Sequence, residues 1–465
     1  MRKQQHAQHA SSRSTLIERR PPRTVAVLEA LEHRRLFAGD VVVHWNELAL
    51  QSASALPPRV PFPRNLALVH VAMFDAVNAI DRSYQSYAAD VKVSRAASPE
   101  AAVAQAARDT LIALYPSRQA TFDAALAADL AGIPSGLAKQ GVAVGKEVAR
   151  QILALRANDG ASAVVNYVPP NQDPGQWQPT PPDGSANNNA HVPLITPFAV
   201  ESNSQFRPGP PPELTSDEYA DAFNEVKSLG SKNSTARTAD QTQVAMVWRV
   251  AVNNVTVWNR IAQGVADDGN TNLVENARLF ALMNMALNDG LQTSNESKFH
   301  YGLWRPITAI RRADEDGNAA TEADPTWTTL HPTTPPYPTY AGNAATIGAA
   351  CATVLGEFFG DDVPFQVDWT PYGSAGVTRS YDDFWDAADE MAISRMYGGI
   401  HFRFDGEAGQ QVGADVAGYV LEHQLLPQDA HGATLVVPAI APASVFADAP
   451  EDEDRLAYLT DLRGN

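Results

Sequence analysis

The chain has 465 residues, 44% of them hydrophobic, which is ample for a sizeable core, and its formal net charge of −18 argues against nucleic acid as a partner. A single cysteine, Cys351, excludes an intrachain disulfide and most thiolate metal sites. No run approaches the roughly 18 to 20 apolar residues of a membrane-spanning helix, so no integral membrane span is expected.

The charge is unevenly spread. Residues 1–39 carry eight Lys or Arg against three Glu, a net of +5, and the remainder carries −23. The opening MRKQQHAQHASSRSTLIERRPPR lacks an apolar stretch of the length a secretory signal needs and is expected to be unstructured. The following LEALEHRRLFAGD resembles a short N-terminal sorting motif of exported proteins in planctomycete-type bacteria, through Leu28, Leu31, Glu32, Arg34, Arg35, Leu36 and Ala38. That resemblance implies an exported, extracellular or cell-surface protein; a short amphipathic helix leading into the domain fits the same residues.

From Val41 onward helical spacing dominates. Leu66, Val69, His70, Met73, Phe74 and Val77 fall at threes and fours and form a core face. His70, Asp75, Asn78 and Asp81 on the same segment raise the question of a metal site. Further helices are predicted at 99–115, 117–131 and 137–158. Between 166 and 212 dense proline, glycine and asparagine preclude a regular helix, and Trp177 marks an ordered strap over the helices, a candidate wall for a site. Helical patterning returns at 216–229, 239–261 and 273–290.

The loop ADEDGNAATEAD offers Asp314, Asp316 and Gly317 in a calcium-like order but lacks the later ligands, so it is read as a solvated acidic turn. After Leu425 the periodicity ends, and ADAPEDEDR reads as part of a solvated acidic tail. Neither a fixed-period repeat nor a phosphate-loop or dinucleotide glycine pattern occurs. The expected organisation is a basic, disordered export segment at 1–39, an all-α domain at 40–430 and an acidic tail at 431–465.

Two stretches carry the chemistry. In SRMYGGIHFRFDGEAG, a helical pattern over 382–396 ends near Arg395, Gly398 and Gly399 turn the chain, and His401 sits in the turn before a second helical pattern over 405–425. Arginine presents a planar charged fork that matches an oxyanion, and histidine can attack or coordinate its central atom. Alone, the pair equally fits a helix-capping arginine and a packed histidine. In KFHYGLWRPITAIRR, Lys298 and Arg305 are seven apart, a spacing that places both on one helix face. Phe299, Tyr301, Leu303, Trp304 and Ile307 around them predict partial burial and hence an anionic partner, although a solvated basic face has the same spacing.

Lys, six residues, Arg-Pro, followed later by Ser-Arg, five residues, His, closely resembles the vanadium-dependent haloperoxidase and type 2 phosphatidic acid phosphatase superfamily. VVVHWNELAL, LALVHVAMFDAVNAID, GQWQPTPP, QFRPGPPPELTSDEYADAFNEVKSLG and YGLWRPITAIRR resemble its soluble bacterial haloperoxidase-like branch, in order, over about 40–425. The resemblance implies a helical bundle with long proline-rich loops, and makes the polar groups around His70 structural. It further implies an oxyanion pocket in which Lys298, Arg305 and Arg395 neutralise vanadate, or phosphate as the alternative ligand, with help from the Gly342 and Asn343 amides at a helix start. His401 would bond to vanadium in a peroxide-driven halide oxidation, or attack phosphorus in an acid phosphatase acting on phosphate esters.

The family's Pro-Ser-Gly-His motif departs here. In HPTTPPYPTYAGNAATIGAA the four motif positions fall on Ala341, Gly342, Asn343 and Ala344, so alanine stands where the family has its acid/base histidine. The expected consequence is weak turnover, or an exported protein that keeps the oxyanion scaffold without catalysis. His331 is the nearest preceding histidine that could replace the lost group.

Overall fold

The computed structural model describes residues 26–28, 40–54, 62–165, 167–180, 189–249, 254–269 and 271–428. The acidic tail and, apart from 26–28, the basic leader with its export motif lie outside the described residues. The described residues are mostly helical, 59% in helices and 4% in strands. In order the helices are α1 (Val41–Ser54), α2 (Phe62–Asp81), α3 (Pro99–Leu114), α4 (Gln119–Leu130), α5 (Ser135–Leu155), α6 (Asp217–Leu229), α7 (Ala239–Val247), α8 (Asn254–Asp268), α9 (Leu273–Tyr301), α10 (Pro306–Arg311), α11 (Asn343–Phe359), α12 (Phe384–Tyr397) and α13 (Arg403–His423). A small sheet joins β1 (Ala26–Leu28), parallel, to β2 (Phe365–Asp368), which pairs antiparallel with β3 (Thr378–Tyr381). Ala26–Leu28 therefore departs from the unstructured leader expected there.

Local signals set the helix starts. Ser98 accepts from the Ala101 amide ahead of Pro99, and Ser216 accepts from Tyr219. Thr238 with Gln241, and Asn272 with Glu275, close reciprocal capping boxes before α7 and α9. One apolar core runs from Val42 and Trp45 in α1 through Phe74, Trp258 and Phe280 to Val416 and Val420 in α13. Among the described residues no helix is long and apolar enough to cross a membrane.

Three sequence expectations change. The 239–261 pattern is two helices, α7 and α8. The pattern ending at 290 continues without interruption to Tyr301, making α9 a helix of 29 residues. Lys298 and Arg305 do not share a helix face: Gly302, at φ 62°, ends α9, and Arg305 is the N-cap of α10, whose first residue is Pro306.

The strap is ordered where it is described. Trp177 is buried, its amide donates to the Gly302 carbonyl (2.7 Å), and the Trp304 amide donates to the Gly175 carbonyl (2.8 Å), which clamps the turn between Lys298 and Arg305. Elsewhere His70 stacks on Phe280 with its Nε2 2.9 Å from Asn46 Oδ1, and Asp75 accepts from the amides of Tyr87, Ala88 and Ala89. Asp316 is buried rather than solvated, accepting from the Asn318 amide and the Thr321 hydroxyl. Cys351 is fully buried in α11, and burial pushes its thiol pKa up.

Candidate functional site

The site forms where α9, α11, α12 and α13 meet. Helix α13 approaches α11 closely because Gly409 and Gly413 carry no side chain: a Cβ at either would collide with the carbonyl of Gly342 or Thr346. This contact seats the start of α13, and therefore His401 and Asp405, against the start of α11.

Lys298, in the last turn of α9, is fully buried. Its Nζ donates to the carbonyls of Thr339 (2.6 Å) and Ala341 and lies 5.7 Å from the Tyr337 ring centre. Burial first, and then the neighbouring Arg305 charge, hold its pKa well below the usual lysine value. Arg305 is also fully buried. Its Nε donates to the Tyr337 carbonyl (2.9 Å) and its Nη1 to the Ile400 carbonyl (2.8 Å) and to His401 Nε2 (3.0 Å), while Nη2 has no partner among the described residues. Burial lowers its pKa to about 10.

These contacts define the tautomer of His401. A guanidinium can only donate, so Nε2 must carry the lone pair and Nδ1 the hydrogen. Nδ1 accordingly faces Asp405 Oδ2 at 2.9 Å. The same Oδ2 accepts from the Thr339 hydroxyl and the Phe402 amide, and Thr339 Oγ1 lies 3.0 Å from Nδ1. Burial, reinforced by Arg305 and opposed by Asp405, lowers the His401 pKa to about 3, so the ring is neutral near pH 7. A neutral imidazole with its Nε2 lone pair held ready can act as a nucleophile or a ligand.

Arg395 lies in the last turn of α12 and is partly buried. Its Nη2 donates to the Trp248 carbonyl (3.0 Å), and its charge interacts with Tyr337, the residue whose ring also neighbours Lys298 and Arg305. Burial, then Arg249, lowers its pKa to about 10. The structure thus joins Lys298, Arg305 and His401 through direct bonds and shared partners. Arg395 stands beside the same tyrosine without bonding to any of the three. Among the described residues none of the three cations makes a salt bridge with a carboxylate.

At the start of α11 one expectation is corrected. The Gly342 amide donates to the Asp405 carbonyl (2.7 Å), so it is committed to the α11–α13 joint and is not free for an oxyanion. Asn343 is the first residue of α11, where the amide has no acceptor within the helix. Its side-chain oxygen accepts from Ser294 (2.7 Å). Ala344 follows in the first turn and is buried.

Thr339, Tyr337 and Asp405 were not singled out from sequence. Asp405 carried a usable signal: an acid four residues after His401, at the start of a helical pattern, can both cap that helix and meet the imidazole. Tyr337 and Thr339 carried none, because their roles are made by contacts with distant segments.

Fold and site first define a class: a helical bundle that gathers buried lysine, arginine and an Asp-supported histidine at one end. Residues 278–427 match the family model described as the vanadium chloroperoxidase (VCPO) second helical-bundle domain. The chain is 26% identical to vanadium chloroperoxidase of Curvularia inaequalis over 268 residues, a match spanning 43% of this chain and 43% of that relative. Among solved structures it resembles a bacterial vanadium-dependent iodoperoxidase, with a TM-score of 0.72 and 26% identity over 82% of this chain and 96% of that one. A holo-type bacterial vanadium-dependent chloroperoxidase shares the fold, with a TM-score of 0.64 and 16% identity over 81% of this chain and 95% of that one. The matched family model over residues 278–427, the curated relative and the iodoperoxidase structure together support a place in the vanadium-dependent haloperoxidase and type 2 phosphatidic acid phosphatase superfamily, to whose members this chain is similar.

Proposed function

We propose that this protein holds vanadate, with phosphate as the alternative ligand, among Lys298, Arg305, Arg395, the Asn343 amide and His401, and uses it for peroxide-driven halide oxidation. One observation carries the reading: three cations, two of them fully buried, make no salt bridge with a carboxylate among the described residues, an arrangement that is costly unless an anion completes it. The residues fit a tetrahedral oxyanion, since among the described residues the buried Arg305 Nη2 is a donor without an acceptor, and the His401 Nε2 lone pair, which accepts from Arg305 Nη1 here, lies beside it. Bound vanadate would supply the electrophilic centre that activates peroxide toward halide. The chain's own part is to neutralise the anion with Lys298, Arg305 and Arg395, to present Nε2, and to hold Nδ1–H on Asp405.

Ala344 favours a second reading, in which the pocket binds its anion with little or no turnover, because a methyl group cannot transfer a proton. Phosphomonoester hydrolysis through His401 uses the same groups and is the third. The resemblance of LEALEHRRLFAGD to a sorting motif of exported proteins adds the proposal that the protein is exported. The test is calorimetric titration with vanadate and with inorganic phosphate, followed by bromide-dependent peroxide consumption and p-nitrophenyl phosphate hydrolysis on the same sample. Vanadate binding with bromide-dependent turnover supports the haloperoxidase reading. Ester hydrolysis inhibited by vanadate supports the phosphatase, binding without turnover the degenerate pocket, and binding of neither anion overturns all three.

A further inference from the structure

We infer that His331 is the proton-transferring residue of this site, supplying what Ala344 lacks; the inference deepens the function proposed above and rests on it. Residues 331–341 run along the site. The Tyr337 carbonyl and ring meet Arg305, Thr339 meets His401 and Asp405, and the Thr339 and Ala341 carbonyls hold Lys298. His331 opens this segment on the side of Arg395. Its amide donates to the Gly398 carbonyl (3.1 Å), and the Thr329 hydroxyl donates to the His331 carbonyl. Its ring lies against Gly398, where a Cβ would collide with Cδ2 and Nε2. Only glycine at 398 admits the ring, and Gly398 belongs to the turn that connects Arg395 to His401.

The ring is fully buried, and among the described residues neither nitrogen has a hydrogen-bond partner. Buried polar groups in folded proteins are nearly always bonded, so two partnerless nitrogens on one ring call for a ligand or a role. The charges that act on it are all cationic: Arg395 from α12, with Arg249 and Arg237 from the segments flanking α7. They keep the free ring neutral, with its pKa lowered to about 2 by burial and then by these arginines. A bound dianion opposes that field, so anion binding itself raises the ring's affinity for a proton.

A neutral ring nitrogen is a proton acceptor, and the transfer balances in both chemistries. With hydrogen peroxide, the ring would take one O–H proton and leave hydroperoxide anion for the bound oxyanion, and the same proton passed to the hydroxide that this anion gives up in exchange would leave as water and restore the neutral ring. With p-nitrophenyl phosphate, the nitrophenolate leaves without needing a proton as His401 Nε2 bonds to phosphorus. Water then forms the new O–P bond, the P–Nε2 bond breaks, and the water's proton passes to His331 and on to the released phosphate.

The test uses the full-length protein labelled with 15N. Inorganic phosphate is titrated while the His331 ring resonances are followed, assigned by their loss in His331→Gln or, should that variant not fold, by through-bond correlation in the wild type. We expect ring shifts that saturate with the calorimetric phosphate Kd. His331→Gln is expected to keep that Kd within about threefold while lowering turnover by about 10²–10⁴, the usual contribution of a positioned acid or base. Adding Ala344→His to His331→Gln should restore at least about tenfold. Phosphate binding that leaves the ring unmoved, or a His331→Gln variant that turns over as fast as the wild type, overturns the assignment of His331 alone. Absence of phosphate and vanadate binding by calorimetry overturns the function on which it rests.

Discussion

Replacing Lys298 with methionine is expected to remove anion binding while leaving the unliganded protein about as stable as before, a combination that a structural lysine would not give. Lys298 is fully buried and among the described residues makes no salt bridge with a carboxylate, and Arg305 opposes its charge more than Asp405 favours it. Replacing buried ionic groups by apolar ones of similar volume is often neutral or stabilising by about 1–4 kcal/mol, whereas breaking a true buried ion pair costs about 3–5 kcal/mol. Against the gain stands one orphaned acceptor. The Ala341 carbonyl keeps a share of the Ser294 hydroxyl (3.1 Å), whose hydrogen also points to Asn343 Oδ1, but the Thr339 carbonyl loses its donor, at a cost of about 1–3 kcal/mol. The net change should lie within about 2 kcal/mol of zero. In the wild type, phosphate at a hundredfold excess over Kd adds about 2.7 kcal/mol. With an unfolding entropy of about 2.1 cal/mol/K per residue, a chain of 465 residues changes stability by about 1 kcal/mol per degree, so phosphate should raise the wild-type Tm by about 3 °C. Scanning calorimetry of both proteins, with and without phosphate, measures all four values. An apo variant weakened by 3 kcal/mol or more, or one that keeps the phosphate-dependent rise, would refute the reasoning.

Three more outcomes follow from the same geometry. Arg395→Ala should weaken phosphate binding by about 10- to 150-fold, the worth of about 1.5–3 kcal/mol for charge-assisted bonds, and an unchanged calorimetric Kd would remove Arg395 from the site. Gly409→Ala forces a methyl onto the Gly342 carbonyl and should destabilise the protein by about 1–3 kcal/mol in denaturant titration; a neutral result would mean that α13 and α11 separate easily. His70, buried against Phe280, has its pKa lowered by burial from 6.5 to about 3, so its contribution is complete above pH 6.5 and is lost as pH falls toward 3. His70→Leu should therefore gain on the wild type by up to about 1.4 kcal/mol per pH unit across that window, and a stability difference that ignores pH would show that the ring is not held neutral.

The helical character could be read from sequence because periodicity is a local property, whereas the grouping of the three cations in one site was implied by the family resemblance. Gly290 shows where such reading fails: it looked like a helix end, yet it lies inside α9, where a Cβ would press on Thr346 of α11, so the glycine serves helix packing rather than termination. Conversely Gly302, inside a run that seemed continuous, is the true end of α9. Both glycines look alike in one dimension, and only the neighbouring helix distinguishes them. The commitment of the Gly342 amide to Asp405 and the burial of His331 between its arginines were equally invisible, since each depends on segments more than 60 residues apart in the chain.

The clamp between the strap and the α9–α10 turn bears on how the molecule comes into being. The turn that separates Lys298 from Arg305 is tied to Gly175 and Trp177, and Arg395 is tied to Trp248. During synthesis the strap segment emerges more than 120 residues before the turn it will grip, and the partner of Arg395 some 150 residues before that arginine. Closing such distant contacts is slow, because loop-closure entropy must be overcome before the contacts reward it. The cations of the site are therefore brought together late, on a scaffold whose earlier helices already stand, and for much of its assembly the chain does not have to hold three like charges in one dry place.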